Sequence, residues 1–523
     1  MRVILSLAIA VVALPASAQV VPPAPYTGTA KGVVFDDENR NGKRDQGERG
    51  IGGVRVSNMR DVVKTDRNGN WQLGHNDDTM FFVVKPRGWM TPVDEHKVPR
   101  FYYNHKPSGS PKLRHAGVAP TGPLPESIDF PLTKVKESDK FTALFFGDTQ
   151  PRDLREVDYL ARDIIEPLIG NPDGGAFGVT LGDVVFDDLS VTEPLVRTIG
   201  MIGIPWYYVL GNHDINYDAT DDRFSDEHWE RVFGPSYYSF DYGPTHFVVL
   251  DNVVWTSAAN AADQKQGYKA GLGAAQLEWL KQDLAHVPAN QLVVLCMHIP
   301  MTEIQDRAQL FEIIEQRPYC LSVSAHTHMQ EHRFITTKDG WKKPEPHHHV
   351  INVTTCGSWW TGAPGPLGVP HTTMRDGAPH GYSLFKFDGN QYSIEFRAAR
   401  RPASYQMNIY APESLKVAEA RGTMVYVNVF GGSDKSKVEM SLGDGKWRSM
   451  LRALEIDPEF KKAADREAKL EKPYRPLSGP AISTHLWKLP LSGYDKPGVY
   501  PIHVRTTDMF GQVFVSTRSI RIE

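Results

Sequence analysis

A succession of apolar runs, each ending abruptly in polar residues, constrains most of what the middle of this chain can become. They are "TALFFGDTQ" (142–150), "FGVTLGDVV" (177–185), "PWYYVLGNHD" (205–214), "QLVVLCMHIP" (291–300) and "CLSVSAHTH" (320–328). Runs this short, bounded by glycine and polar residues, read as buried strands. Between them lie amphipathic stretches such as "DLREVDYLARDIIEPLI" (153–169) and "GAAQLEWLKQDLA" (273–285), which read as helices. Strand and helix alternate over about 260 residues, which predicts an α/β domain. In such sheets ligands bind at the carboxyl ends of strands. Those ends carry Asp148 and Gln150, Asp183, then Asn212, His213 and Asp214, then His298, then His326 and His328.

One chemistry accounts for that set. A carboxylate between two divalent cations can bridge them, and Asp183 is the candidate. Two ions roughly 3.5–4 Å apart can hold both ends of an in-line displacement at phosphorus. Imidazole suits transition metals and carboxylates suit hard divalent ions. A histidine outside the ligand set can protonate a leaving oxygen or stabilise charge. A single His or Asp at a strand end is ordinarily a cap or a turn, but here that reading would have to hold at every end at once.

The motifs "GDTQ", "LGDVV", "LGNHD", "MHIP" and "SAHTH" resemble the calcineurin-like metallophosphoesterases, whose pattern is D-x-H, G-D, G-N-H-D/E, a His and G-H-x-H. The resemblance covers about half the chain. It implies a metallophosphoesterase α/β sandwich and two divalent ions (Mn, Fe, Mg or Zn). One ion would take Asp148, Gln150, Asp183 and His328; the other would take Asp183, Asn212, His298 and His326. His213 would face the substrate phosphate, oriented by Asp214. Ala325 stands where Gly is usual. Gln150 is the larger departure: its neutral carbonyl oxygen is a weaker ligand than the usual imidazole and shifts preference from Zn toward Mn, Mg or Fe(II). Asp187 and Asp188 read equally as supports behind the ligands or as helix-start caps.

A chain of 523 residues is too long for one core. Short β-rich runs flank the α/β part on both sides: "KGVVFDD", "GVRVSN", "NWQLG" and "MFFVVKP" before it, "TMVYVNVFGG", "GVYPIHVRTTD" and "QVFVSTRSIRIE" after it. The expected organisation is an export signal (1–18), a Pro-rich linker (19–30), an N-terminal β-sandwich (31–135), the catalytic domain (136–400) and a C-terminal β-sandwich (401–523). This order resembles an exported bacterial group of metallophosphoesterases with matching N- and C-terminal domains. "FYYNHKPSGSP", "GVAPTGPLPESIDFPL", "CGSWWTG" and "VRTTDMFG" carry that likeness.

Two further stretches invite ligands. "DENRNGKRDQGE" (37–48) matches D-x-N-x-N-G-x5-E. Its Asp37, Asn39, Asn41, Asp45 and Glu48 side chains and the Lys43 carbonyl place oxygens in calcium-loop register, with Gly42 at the sharp turn. Strands rather than helices flank it, so it is not an EF-hand; a polar hairpin without an ion is the alternative. In "CGSWWTGAPG" and "MRDGAPHGY", Trp359, Trp360, Asp376 and His380 either wall the substrate cleft or pack between domains. The run His347-His348-His349 reads as a solvated turn leading into a strand rather than a metal trap.

The start of the chain, "MRVILSLAIAVVALPASAQ", has the charge, apolar core and small-residue site of an export signal cut near Ala18. Periplasmic or secreted protein is the expectation, with no transmembrane segment. A net charge of −4 without a basic face gives no nucleic-acid signature. Three cysteines make no disulfide framework. Together these point to a dinuclear-metal-dependent phosphohydrolase, a phosphodiesterase or phosphomonoesterase, using metal-bound hydroxide on a phosphorylated small molecule or envelope component. The alternative is a surface-binding protein with a weakened phosphoesterase domain. Oligomeric state is open.

Overall fold

The computed structural model describes residues 24–256, 267–442, 445–471, 474–492 and 494–523. The expected export signal and the first linker residues lie outside them. No helix among the described residues is long and apolar enough to cross a membrane.

The α/β part is two sheets packed face to face. One has the order Trp206–Val209, Gly175–Leu181, Lys140–Phe146, Gly381–Asp388, Gln391–Ala398. The other runs Tyr238–Tyr242, Thr245–Val249, Leu292–Cys296, Cys320–Ser324, His347–Ile351, Glu331–Ile335. Trp206–Val209, Gly175–Leu181 and Lys140–Phe146 run parallel in the first sheet and Thr245–Val249, Leu292–Cys296, Cys320–Ser324 and His347–Ile351 in the second, as suits apolar runs covered on both faces, while Gly381–Asp388 is antiparallel to Lys140–Phe146. Phe141, Phe177, Phe240, Phe247 and Phe387 fill the space between the sheets. The helices Leu154–Leu160 and Thr192–Gly200 cover the outer face of the first sheet, and Gly273–Ala285 belongs to the core of the second. A bridge from Gly147 to Thr354 joins the two sheets at their carboxyl ends.

The flanking parts are strand-rich. Before the catalytic sheets, two four-stranded sheets enclose Trp71, Phe81 and Phe130. The stretch Met80–Val84 is buried throughout, because its second face lies on the catalytic part. There Phe82 meets Trp279 at 6.2 Å, and the Trp279 indole N–H donates to Ser57 Oγ. Arg55 reaches across to Asp241 and Asp283, which also flank His246. The Pro- and Gly-rich stretch after Phe101 runs along the catalytic part, with buried Lys106 paired to Glu227 and Glu230. After the catalytic sheets, a four- and a five-stranded sheet close over Val427, Met440, Trp487 and Val504.

His347-His348-His349 do not form a solvated turn. They are the first three residues of the strand His347–Ile351, and all three are buried. The strand lies between two others, so both its edges are paired. Ser322 and Ser324 hydroxyls meet His347 and His349, and the Tyr392 hydroxyl meets His348, so the imidazoles are buried at low cost.

Candidate metal centre

Each strand-end residue arrives through tight backbone geometry. A Cβ on Gly211 would stand 1.9 Å from the Asp183 backbone nitrogen. One on Gly182, whose φ is +84°, would stand 2.5 Å from the His298 ring. Both glycines are therefore required for the loops to converge. Gln150, Asp183, Asp187, His326, His328, Trp359 and Trp360 all have positive φ. Such backbone costs roughly 1–3 kcal/mol per residue and gathers where function demands it.

The convergence is close. Asp183 Oδ1 lies 3.2 Å from His298 Nε2 and accepts from the His213 backbone N–H. The same His298 Nε2 is 3.1 Å from Asn212 Oδ1 and 3.1 Å from His326 Nδ1. Asp183, His298 and His326 can bring one ligand atom each within 4.8 Å of one another. On the other side His328 Nε2 lies 3.1 Å from Asp148 Oδ2, while Asp148 Oδ1 accepts from the His326 backbone N–H.

The donor set fits cations. His298 Nδ1 lies 2.8 Å from the Leu181 carbonyl and His328 Nδ1 2.5 Å from the Gly357 carbonyl. A carbonyl oxygen only accepts, so each Nδ1 carries the proton and each Nε2 turns a lone pair inward. That lone pair then faces oxygen lone pairs of Asp183 and Asn212, or of Asp148, whose Oδ2 accepts no hydrogen bond. Opposed lone pairs in a buried site need a positive charge between them. Without a metal that charge would be a proton: burial pulls His298 down, but the Asp183 carboxylate outweighs it and lifts the imidazole to about 9. Burial and the charge of His298 instead push His326 down to about 4, leaving it neutral. Asp183 is held well below the usual carboxylate range, against its burial, by His298 and His213.

Gln150 takes a different posture from the one its motif position implies. Its Nε2 donates to Asp183 Oδ2 at 2.9 Å, and its Oε1 faces the Cys356 thiol at 3.8 Å. The amide thus gives Asp183 a hydrogen where an imidazole would give a metal a lone pair.

Asp214 does not orient His213. Its carboxylate is filled by the backbone N–H groups of Gly211, Val184 and Val185 at 2.9–3.0 Å. It ties two strand-end loops together behind the centre. Burial and nearby Asp183 raise its pKa to about 7 against those donors. His213 Nδ1 meets Asp187 Oδ1 at 2.6 Å instead. Of the two readings open for Asp187, support of a site residue is the one its contact favours; Asp188 caps the turn after it.

The remaining expected residues divide. Trp359 stacks on His328 at 3.9 Å, so it does border the centre. Trp360 is buried and donates to the Thr149 carbonyl, which is packing. Asp376 does not face a cleft: it accepts from the Gln330 and Ala378 backbone N–H groups and meets His485 of the C-terminal part. His380 pairs with Asp163 and lines a separate cavity of about 610 Å³ beside the C-terminal part. In the 37–48 loop, Asp37 caps the Asn41 and Gly42 N–H groups, and Asp45 accepts from Asn39 and Asn41. Glu48 accepts from the Glu38 and Asp45 N–H groups, and the Lys43 N–H donates to Asn41 Oδ1. Sequence reasoning missed Arg152, Phe186 and Arg475 at the rim, because single surface cations and aromatics carry no motif.

Three family models match in chain order. The N-terminal of calcineurin-like phosphoesterase matches residues 38–115, calcineurin-like phosphoesterase matches 141–330, and the C-terminal of calcineurin-like phosphoesterase matches 349–514. The chain belongs to the calcineurin-like phosphoesterases, metal-dependent hydrolases of phosphoric esters. Among solved structures it is similar to a purple acid phosphatase, PPD1, from yellow lupin (Lupinus luteus) seeds. The identity is 12%, the TM-score 0.35, and the match spans 66% of each chain, just under two thirds of the lupin protein. It is also matched to a superoxide reductase from Ignicoccus hospitalis at 10% identity and TM-score 0.13, over 23% of this chain and 80% of that one. At those scores neither likeness bears on fold or chemistry. No curated protein matches.

Proposed function

We propose that this chain hydrolyses a phosphoric mono- or diester at a two-metal centre, on a phosphorylated small molecule or envelope component met after export and cleavage near Ala18. The observation that carries the reading is the inward lone pair of His298 Nε2, set against oxygens of Asp183 and Asn212 with His326 beside it. Asp148 and His328 repeat the arrangement across Asp183. Asp183, Asn212, His298 and His326 would hold one ion; Asp148, Asp183 and His328, with Gln150 once its amide turns over, would hold the other. Divalent ions there would supply a water of lowered pKa and positive charge for the phosphoryl oxygens.

The chain's own groups do the rest. His213 stands at the same loop as Asn212, with Nδ1 on Asp187 and Nε2 3.9 Å from Asp183 Oδ2. That geometry fixes its ring so that Nε2 can deliver a proton to the leaving oxygen. Trp359 closes the face of His328 to solvent. The loop 37–48 is the candidate calcium site of the N-terminal part.

The test is metal content by mass spectrometry together with hydrolysis of bis(4-nitrophenyl) phosphate and 4-nitrophenyl phosphate with added Mn²⁺. About two ions per chain and turnover abolished in Asp183→Asn are expected. Turnover that persists in Asp183→Asn, or ions lost without loss of turnover, would overturn the reading.

A further inference from the structure

Beside the metal centre lies a pair of arginines that the hydrolysis itself does not need. Arg152 comes two residues after Gln150, and the Pro151 carbonyl accepts from the Phe186 N–H at 3.1 Å, which ties the two loops together. The Arg152 guanidinium lies over the Phe186 ring at 4.1 Å, and that ring stacks on His213 at 4.5 Å. Its Nη1 donates at 2.9 Å to the carbonyl of Trp359, whose indole covers His328. Arg152 therefore spans from the flank of His213 to the flank of His328.

The C-terminal part brings a second cation to the same place. Arg475 pairs with Glu156, and its carbonyl accepts from the Gly362 N–H at 2.7 Å, along the loop that carries Trp359. Glu156 is buried and serves both arginines: it takes the Arg152 backbone N–H at 2.8 Å and meets Arg152 Nη1 at 3.5 Å. Two guanidinium groups around one carboxylate leave one positive charge over. Among the described residues, Nε and Nη2 of Arg152 have no hydrogen-bond partner, nor do those of Arg475. A guanidinium held by an aromatic face and one Nη keeps an edge free for two oxygens of a phosphate.

We propose that Arg152 and Arg475 form a subsite for a second phosphate, so that the substrate is a phosphoric ester carrying another phosphate group besides the one cleaved. This rests on the hydrolase reading above, and the experiment separates the two. The probes are the 4-nitrophenyl ester of thymidine 5′-phosphate and the same ester carrying a 3′-phosphate. With the Mn²⁺-loaded full chain, the doubly phosphorylated ester is expected to have at least a tenfold higher kcat/KM. Arg475→Gln is expected to bring that ratio to within about twofold of one, and Arg475→Lys to an intermediate value.

Binding is read independently by calorimetry with thymidine 3′,5′-bisphosphate and thymidine 5′-phosphate. The bisphosphate is expected to bind at least tenfold tighter, and the difference to vanish in Arg475→Gln. Should neither ester nor 4-nitrophenyl phosphate be hydrolysed while this binding difference stands, the hydrolase reading fails and the subsite survives. Equal binding of the two nucleotides by the wild type overturns the subsite. So does a preference that Arg475→Gln leaves intact while lowering the melting temperature, which would make Arg475 a brace between domains only.

Discussion

Gln150 Nε2 donates a hydrogen bond to Asp183 Oδ2 at 2.9 Å. The carboxylate best placed to bridge two ions is thus engaged by an amide hydrogen on the side where one ion would sit. To offer Oε1 instead, the amide must turn over and give up its contact with Cys356. In the proposed two-ion centre, the ion on the Gln150 side would accordingly be the more weakly held.

Gln150→His removes this competition and adds a nitrogen ligand. The affinity for the second ion is expected to rise roughly 10-fold or more, the scale on which groups around a ligand act. Competition against a chelator dye measures it. Unchanged affinity for both ions would show that Gln150 touches neither.

The His213–Asp187 contact predicts a split between turnover and metal content. His213→Ala is expected to lower kcat by about 10²-fold or more, within the range of proton-transfer catalysis. Asp187→Asn is expected to lower it by roughly 10-fold and to shift the alkaline or acidic limb of the pH profile. Metal content should stay at the wild-type value in both. Loss of ions in Asp187→Asn would assign the residue to holding metal rather than His213.

Arg55 is paired with Asp241 and Asp283 around buried His246. Arg55→Met leaves buried Asp283 and partly buried Asp241 with His246 alone and is expected to cost about 3 kcal/mol, read by urea unfolding. The pairing also depends on pH. His246 and Arg55 hold Asp283 at about 2, against its burial, so its contribution is present above its ordinary pKa and is lost as pH falls through about 2. Asp283 and Asp241 raise His246 above its ordinary value, so its contribution is full below that value and is lost as pH rises through the raised one.

The buried histidines at the far edge of the second sheet act in the opposite sense. Burial pushes His332 and His347 down to about 4, and it pushes His348 and His349 well below their ordinary value too. Between about 4 and their ordinary value the unfolded chain binds more protons than the folded one, so stability rises with pH there. Moving from pH 7.5 to pH 5 is expected to lower the melting temperature by about 5 °C or more. Replacing His332 and His348 by Gln should reduce that slope; an unchanged slope would place its origin elsewhere.

The 37–48 loop predicts a calcium effect separate from catalysis. Extracellular loops of this kind bind with Kd of roughly 10⁻⁴–10⁻³ M. Calcium at about 5 mM should then stabilise the chain by roughly 1–2 kcal/mol. Asp45→Ala should abolish the shift in differential scanning fluorimetry without altering turnover. An equal shift in Asp45→Ala would mean that calcium acts at another place.

The sheet ends and the candidate ligands on them were legible because each motif residue follows directly on a short apolar run that reads as a buried strand. What was not legible lies where partners come from distant sequence. Asp214 sits beside His213 in the chain, yet backbone direction turns it away and brings Asp187 instead. The three consecutive histidines look hydrophilic in isolation; only the serines and the tyrosine on neighbouring strands make their burial possible. Asp376 and His380 stand near two tryptophans in sequence but are claimed by His485 and Asp163. Arg475 is 319 positions from Glu156, and no local pattern announces that pair.

The strand Thr79–Val83, sealed on one side by its own sandwich and on the other by Trp279, has a consequence for how the molecule can be taken apart. The expected domain boundary near residue 136 marks where one sheet system gives way to another in the chain, but it is not a seam in the folded protein. Cutting there would bare Phe82 and Trp279 together and leave Asp241 and Asp283 without Arg55. The excised phosphoesterase core would be sticky and charged in the wrong place. The flanking sandwich is therefore a permanent wall of the enzyme rather than a detachable module, and the two are expected to melt in a single transition.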